Sequence, residues 1–433
     1  MTYDWESNFT ARGKMSAGIQ ASQAGDAVLL DSNGKVPDAF LRKGQFKYTM
    51  NFNPTTFATD PEACLTYADD AVGFTRVDGS AATVLSSHSA GSWGENNPLI
   101  HSLRYVTIDS SGNVHHVLDP TDLSKDINGH DRSTEITEEN VMLEVPTLYS
   151  RRTASAISIS NIPEEGTPYA HTFDGETYGK LYIGVYEGTL VNGTLMSVSG
   201  AVPARNKTRA EFRTAANANG DGFMLTNWHI RQLIRDFTIF PGKTFDSQRN
   251  YGQGFSTGGS NSNLEGLTTG LANALGRYAG NPAGTSNVVK CLIENPWASK
   301  WKFIDDILTA YDDAEQAWLD IMAGQHLIPT DDTTKMVKIG TIVTTNKAGS
   351  TNTFATAIQT SNEAGWGIWD NTSGDDATGL CDKHWSNPSA QRLAICGGGS
   401  ADGSADGCST LILHNAASLS AWNVGARLAF VRD

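Results

Sequence analysis

Residues 392–430 read RLAICGGGSADGSADGCSTLILHNAASLSAWNVGARLAF, and the fold follows from how this stretch is parsed. Gly397, Gly398, Gly403 and Gly407 punctuate a polar run. Glycine fills turns that need positive φ, so the run reads as loops. Leu411 and Leu413 then alternate with Thr410, Ile412 and His414. A strand places alternate side chains on opposite faces. The two leucines are therefore expected to face a core, and Thr410, Ile412 and His414 to point the other way, towards solvent. Gly425-Ala426-Arg427-Leu428 returns the chain to a strand that closes a sheet. The picture is a platform of short strands carrying loops.

Upstream, the same texture recurs with a few helices. Val141–Pro146 and Leu181–Glu187 read as strands. Thr208 with Glu211 forms a capping-box pattern, predicting a helix that Gly220 ends. Ile230, Leu233, Ile234 and Phe237 have the spacing of one helical face. Ile304, Ile307, Leu308 and Tyr311 have it again, which predicts a third helix bearing Asp305, Asp306, Asp312 and Asp313 on a solvated face. Residues 249–290, rich in Gly, Asn, Ser and Thr, read as a long surface loop. Leu103–Ile108, an Asp-Ser-Ser-Gly turn and Val114–Leu118 read as a hairpin, whose His115 and His116 fall on opposite faces and make a poor metal pair. Near the start, Asp31-Ser32-Asn33-Gly34 supplies a tight turn. Few helices, many short strands and long loops define an α+β protein. The expected division is a segment 1–45, a small β-rich domain 46–140, and a larger domain 141–433.

Composition narrows the function. The chain has 433 residues and a net charge of −15, with no basic stripe, which argues against nucleic acid as a partner. No apolar run reaches the 18 residues a spanning helix needs, so membrane insertion is not expected. The opening MTYDWESNFTARGK is polar and does not read as a secretory signal. Five cysteines (Cys64, Cys291, Cys381, Cys396 and Cys408) show no metal-ligand spacing; they read as small buried residues, with one bridge among the last three as the alternative. Eight of the ten tryptophans lie at or after Trp228, so core-forming capacity is concentrated in the second half.

Two stretches resemble a known family. Ile293–Asp306, containing Glu294, Asn295, Trp297 and Trp301, is similar to the Glu-Asn-Trp signature of C-type-lectin-fold domains of the formylglycine-generating-enzyme type, with Ala298 and Lys302 departing from it. Residues 397–428 resemble the variable region of proteins diversified by diversity-generating retroelements. The matching frame is Gly397, Gly398, Gly403, Gly407, Leu411, Leu413, Ala416, Ala417, Ser418, Ser420, Gly425, Ala426, Arg427 and Leu428. Ser400 stands where the family often has Trp. Residues 141–250 resemble phage tail-tip proteins, and Leu30–Pro37 resembles tail-fibre collar linkers.

The resemblance implies a C-terminal C-type lectin fold preceded by a β-rich region and an attachment segment. It implies a virion protein of the phage tail tip or fibre, a homotrimer held to other tail proteins through its N-terminal segment. Its partner would be a host-cell surface receptor, protein or glycan. The positions implied to contact that receptor are Ser400, Ala401, Asp402, Ala405, Ser409, Thr410, Ile412, His414, Asn415, Leu419, Ala421 and Asn423. Trp366, Trp369, His384 and Trp385 would border them. No catalytic residue, metal or cofactor is implied.

Three rival readings stay open. An enzyme of the formylglycine-generating type needs paired cysteines, and none here sits in that motif. Calcium-dependent lectins use Glu-Pro-Asn or Gln-Pro-Asp, both absent, although Asp370, Asn371, Asp375 and Asp376 offer oxygen ligands. A structural tail or baseplate component, or a cellular diversified surface protein, is the third.

Overall fold

A computed structural model describes residues 44–57, 59–78, 86–259, 267–285, 287–342, 353–361, 365–371 and 380–433. The chain divides into two compact units, Met1–Phe46 and Lys47–Asp433. The turn expected at residues 31–34 lies outside the described residues, as do Asp375 and Asp376. The second unit is strand-rich with a few helices, compatible with an α+β or a mostly-β class.

Its first large sheet uses β1 (Arg104–Ile108), β2 (Val114–Asp119), β3 (Asp122–Asp126), β4 (Asn140–Pro146), β5 (Lys180–Gly184), the short β6 (Phe223–Leu225) and the last strand of the chain, Leu428–Arg432. The order is β6, the last strand, β5, β4, β1, β2, β3. The predicted hairpin is β1–β2, with Tyr105 opposite Leu118. Its outer strand carries His115, whose Nδ1 lies 2.8 Å from a Glu139 carboxylate oxygen. β1 also pairs with β4, Arg104 opposite Glu144 and Ile108 opposite Asn140. Residues on either side of 140 thus share one sheet, and Lys47–Asp433 forms one compact unit.

Two helices follow. α1 (Arg209–Asn217) carries the complete capping box: Glu211 N–H donates to Thr208 Oγ1, and Thr208 N–H donates to the Glu211 carboxylate. The helix stops at Ala218, and Gly220, at φ +133°, turns the chain away. α2 (Trp228–Gly242) starts at Asn227, whose side chain accepts from Ile230 N–H. All of its residues are buried, its polar ones through specific partners such as the Arg152–Asp236 ion pair.

The second sheet contains β7 (Trp301–Asp312), β8 (Ala317–Ala323), β9 (Val337–Thr341), β10 (Thr353–Ala355), β11 (Leu380–Ser386), β12 (Leu393–Cys396) and β13 (Leu411–Asn415), in the order β9, β8, β7, β12, β13, β11, β10; β14 (Val424–Gly425) joins β7 in parallel. The last strand of the chain, β15 (Leu428–Arg432), lies in the first sheet. Residues 411–432 thus run from one sheet into the other.

β7 replaces the third predicted helix. Trp301–Thr309 is buried on both faces, so an apolar pattern could not report a period. The pairing with β12 shifts register between Ile304 and Leu308, and Asp306 there has φ +53°. An extra residue of this kind breaks the two-residue alternation. The predicted solvated acidic face also fails in part. Asp305 and Asp306 are fully buried, Asp305 accepting from Arg213 Nε at 2.8 Å and Asp306 from His326 N–H at 2.9 Å. The 249–290 segment is not one surface loop either: Tyr278–Gly280 is a strand, and Val288–Glu294 is buried. Tyr251, Tyr278, Val288 and Val289 go inward although the segment is polar on average.

Candidate functional site

The Glu-Asn-Trp stretch and the C-terminal segment meet between the two sheets. Asn295, at φ +46°, accepts from Val289 N–H at 3.2 Å and donates to the Glu187 carboxylate at 3.3 Å. Trp297 is fully buried and donates to Gly252 C=O at 3.2 Å. Arg427 is the bolt. Its guanidinium donates to four backbone carbonyls, those of Gly184, Val185, Glu294 and Asn295, at 2.7, 3.0, 2.6 and 3.0 Å. Burial pulls its pKa down to about 10, still a cation at neutral pH. The last strand, the end of β5 and the Glu-Asn-Trp turn are held by this one side chain.

The glycines are required by close approach. A Cβ on Gly398 (φ +78°) would lie 1.7 Å from Asp406 Oδ1, and one on Gly407 would lie 1.8 Å from Asp382 Oδ1. Both aspartates are fully buried. Asp382 accepts from Ser409 N–H at 2.6 Å. Burial pushes its carboxyl up to about 8, against that hydrogen bond and the nearby Arg235 and Arg231. Asp406 finds no hydrogen-bond partner for either oxygen among the described residues. Burial first, then Asp402, drives it well above the ordinary carboxylate range, against Lys383 and Lys302. No sequence signal marked these two aspartates, which look like ordinary loop residues.

The twelve positions implied to contact a receptor divide into two sets. Ser400, Ser409, Thr410, Ile412 and Asn415 are buried, which corrects the expected outward face of the strand. The cause is topology. β13 is an inner strand, antiparallel to β12 and parallel to β11, with Trp385 opposite Ile412. Ile412 joins the core cluster with Trp301, Phe303 and Ile395. Ser409 Oγ accepts from Arg235 Nε at 2.7 Å, and Thr410 Oγ1 donates to Ala405 C=O at 3.2 Å. These side chains are structural.

Ala401 is exposed, and Asp402, Ala405, His414, Leu419, Ala421 and Asn423 are half-buried. Trp301 organises much of this rim. Its backbone N–H donates to Asn423 C=O at 2.8 Å and its indole N–H to Asp402 at 2.9 Å. Lys383 pairs with Asp402 and lies over the Trp301 ring at 5.1 Å. Trp385, Leu419 and Ala421 pack on the same cluster. Of the residues expected to border the site, Trp385 stacks on His414 with ring centroids 4.0 Å apart. Trp369 and His384 are instead buried against each other at 4.7 Å. Trp366 falls in a described strand, but its side chain lies outside the described residues. Cys64, Cys291, Cys396 and Cys408 are buried free thiols.

Among the described residues, no cluster of His, Cys, Asp and Glu has the arrangement to hold a metal ion, and no helix is long and apolar enough to cross a membrane. Compared with known proteins, the chain matches no family model and no curated sequence.

Proposed function

We propose that this chain is a phage tail receptor-binding protein with a C-type lectin fold, recognising a host-cell surface receptor through the rim of its C-terminal segment. The reading is binding, not catalysis, on a virion and as a homotrimer attached through its N-terminal segment. One observation carries it: residues 397–428 separate into a buried frame and a half-open rim. Asp382 and Arg427 hydrogen-bond the frame together, and Asp406 packs tightly against Gly398. Ala401 is exposed and Asp402, His414, Leu419, Ala421 and Asn423 are half-buried, with Asp402 and Asn423 hydrogen-bonded to Trp301. Loops on a rigid scaffold are the usual seat of recognition, and repeated copies on one particle raise avidity without new contacts.

The test is binding of fluorescently labelled protein to a panel of bacterial strains, with unlabelled protein as competitor. Saturable, competable binding to some strains supports the proposal. Binding to none, or the same non-competable signal on all, contradicts it.

A further inference from the structure

The end of the rim loop is braced by two other segments. Asn206 N–H donates to Ala421 C=O at 3.0 Å, and Trp301 N–H donates to Asn423 C=O at 2.8 Å. Between these two anchors stands the half-buried Trp422, with the Lys300 ammonium over its ring, 5.9 Å from the centroid. That is within reach of a cation–π attraction. Gly425 lets the segments meet: a Cβ there would lie 2.8 Å from Ala204 C=O and 3.7 Å from Lys300 Cβ. Lys300 is only 6% exposed, and a lysine so deeply buried ordinarily has an anionic partner. This one has none: among the described residues its Nζ makes no hydrogen bond and no ion pair. The carboxylate that acts on it, Glu187, is already engaged. Glu187 accepts from the Lys300 backbone N–H at 3.2 Å and from Asn295 at 3.3 Å, and it pairs with Lys302 at 3.1 Å. Burial holds the Lys300 pKa below the ordinary lysine value, with Glu187 opposing and the half-buried Arg205 adding to the shift. The Lys300 nitrogen keeps contact with solvent, unlike the sealed, unpartnered ring nitrogens of His88 and His171.

We infer that Lys300, seated on Trp422 with Arg205 beside it, binds an anionic group of the receptor, a carboxylate or a phosphate. The inference rests on the receptor-binding reading and names the chemistry of its ligand. The anion supplies the charge-assisted hydrogen bond that the Lys300 ammonium lacks, and it offsets the repulsion between Lys300 and Arg205. Acidic sugars carry carboxylates and phosphodiester-linked polymers carry phosphates, so both sources present the same charge to the site. Lys300 and Arg205 lie outside residues 397–428 and form a fixed point of attachment. Ala421 and Asn423, on either side of Trp422, then select what the anion is attached to.

The experiment is calorimetric titration of the full-length protein with inorganic phosphate and with glucuronate, against glucose at matched ionic strength. The variants are Lys300→Met, Lys300→Arg and Arg205→Gln, each checked for folding by circular dichroism and a thermal melt. The expected result is saturable binding of at least one anion and none of glucose. Lys300→Met should weaken it by roughly tenfold or more, the scale of one charge-assisted hydrogen bond. Lys300→Arg should keep most of it, and Arg205→Gln should weaken it less. Phosphate binding alone assigns the phosphate source, and glucuronate binding alone the carboxylate. Binding of neither anion, or equal binding by folded Lys300→Met, overturns the inference. The bound anion should also compete with wild-type protein for the strains it labels, a comparison that needs no variant. Cell binding undiminished in folded Lys300→Met and indifferent to the anion overturns the inference while the receptor-binding reading stands. Wild type that binds an anion through Lys300 but labels no strain overturns the receptor-binding reading instead.

Discussion

Strand Leu411–Asn415 and the loop 416–423 that follows it lie side by side in the sequence, yet the structure treats them in opposite ways. The strand is an inner one, hydrogen-bonded along its edges to β12 and β11, and every side chain but that of His414 is buried. The loop keeps Leu419, Ala421, Trp422 and Asn423 half-open and Ala416, Ala417, Ser418 and Ser420 exposed. Alternation along a strand says which residues share a face. It does not say whether the second face is covered. Here the second face packs on the core cluster of Trp301, Phe303 and Ile395, and nothing near residue 412 announces those partners.

The contrast breaks most sharply at the glycines. Gly398→Ala forces a side chain into Asp406 at a positive φ. Left-handed backbone strain of roughly 1–3 kcal/mol and overpacking of about 1–3 kcal/mol add. A loss of about 2–6 kcal/mol is expected in chemical denaturation, and a loss under about 1 kcal/mol would show that the frame is softer than its contacts imply. Ile412→Ala, which empties a core position, should cost about 2–5 kcal/mol. Had Ile412 faced solvent, the same change would be nearly silent, so this variant separates the two arrangements of the strand directly.

A pH series sharpens the frame further. Burial raises the Asp382 carboxyl to about 8 in the folded protein. The folded state therefore holds a proton more tightly than the unfolded chain does. The resulting stabilisation is full below the ordinary carboxylate pKa and is lost as pH rises through about 8. Asp406, shifted in the same direction, adds to the trend. Melting temperature measured from pH 5 to 9 should fall more for the wild type than for Asp382→Asn; parallel profiles would remove this explanation.

The smallest effects belong to the rim. Ala401→Ser and Asn423→Ser should each change stability by under about 0.5 kcal/mol, as surface substitutions usually do. A thermal melt would reveal any larger loss.

What was legible in the sequence was local. The capping box at Thr208 and Glu211, the hairpin turning after Ile108 and the apolar face of α2 each depend on neighbours a few residues away. What was not legible depended on distant partners. β7 was mistaken for a helix because it is buried on both faces and bulged at Asp306, whose counter-group, His326, comes from elsewhere. Nothing local marks the pairing of β1 with β4 across residue 140. The candidate site was half legible: the glycine frame and Arg427 stood out, whereas Asp382, Asp406 and Lys383 carry no pattern of their own.

The central claim is that one segment combines an unalterable frame with an alterable rim that does the binding. A substitution scan across residues 397–428, with thermal stability and cell binding measured separately for each variant, tests it most directly. The account predicts that changes at Ala401, His414, Leu419, Ala421 and Asn423 alter binding while melting temperature holds, and that changes at Gly398, Gly407, Ile412 and Arg427 lower melting temperature. Rim positions as intolerant as the frame, or binding indifferent to all of them, would contradict it.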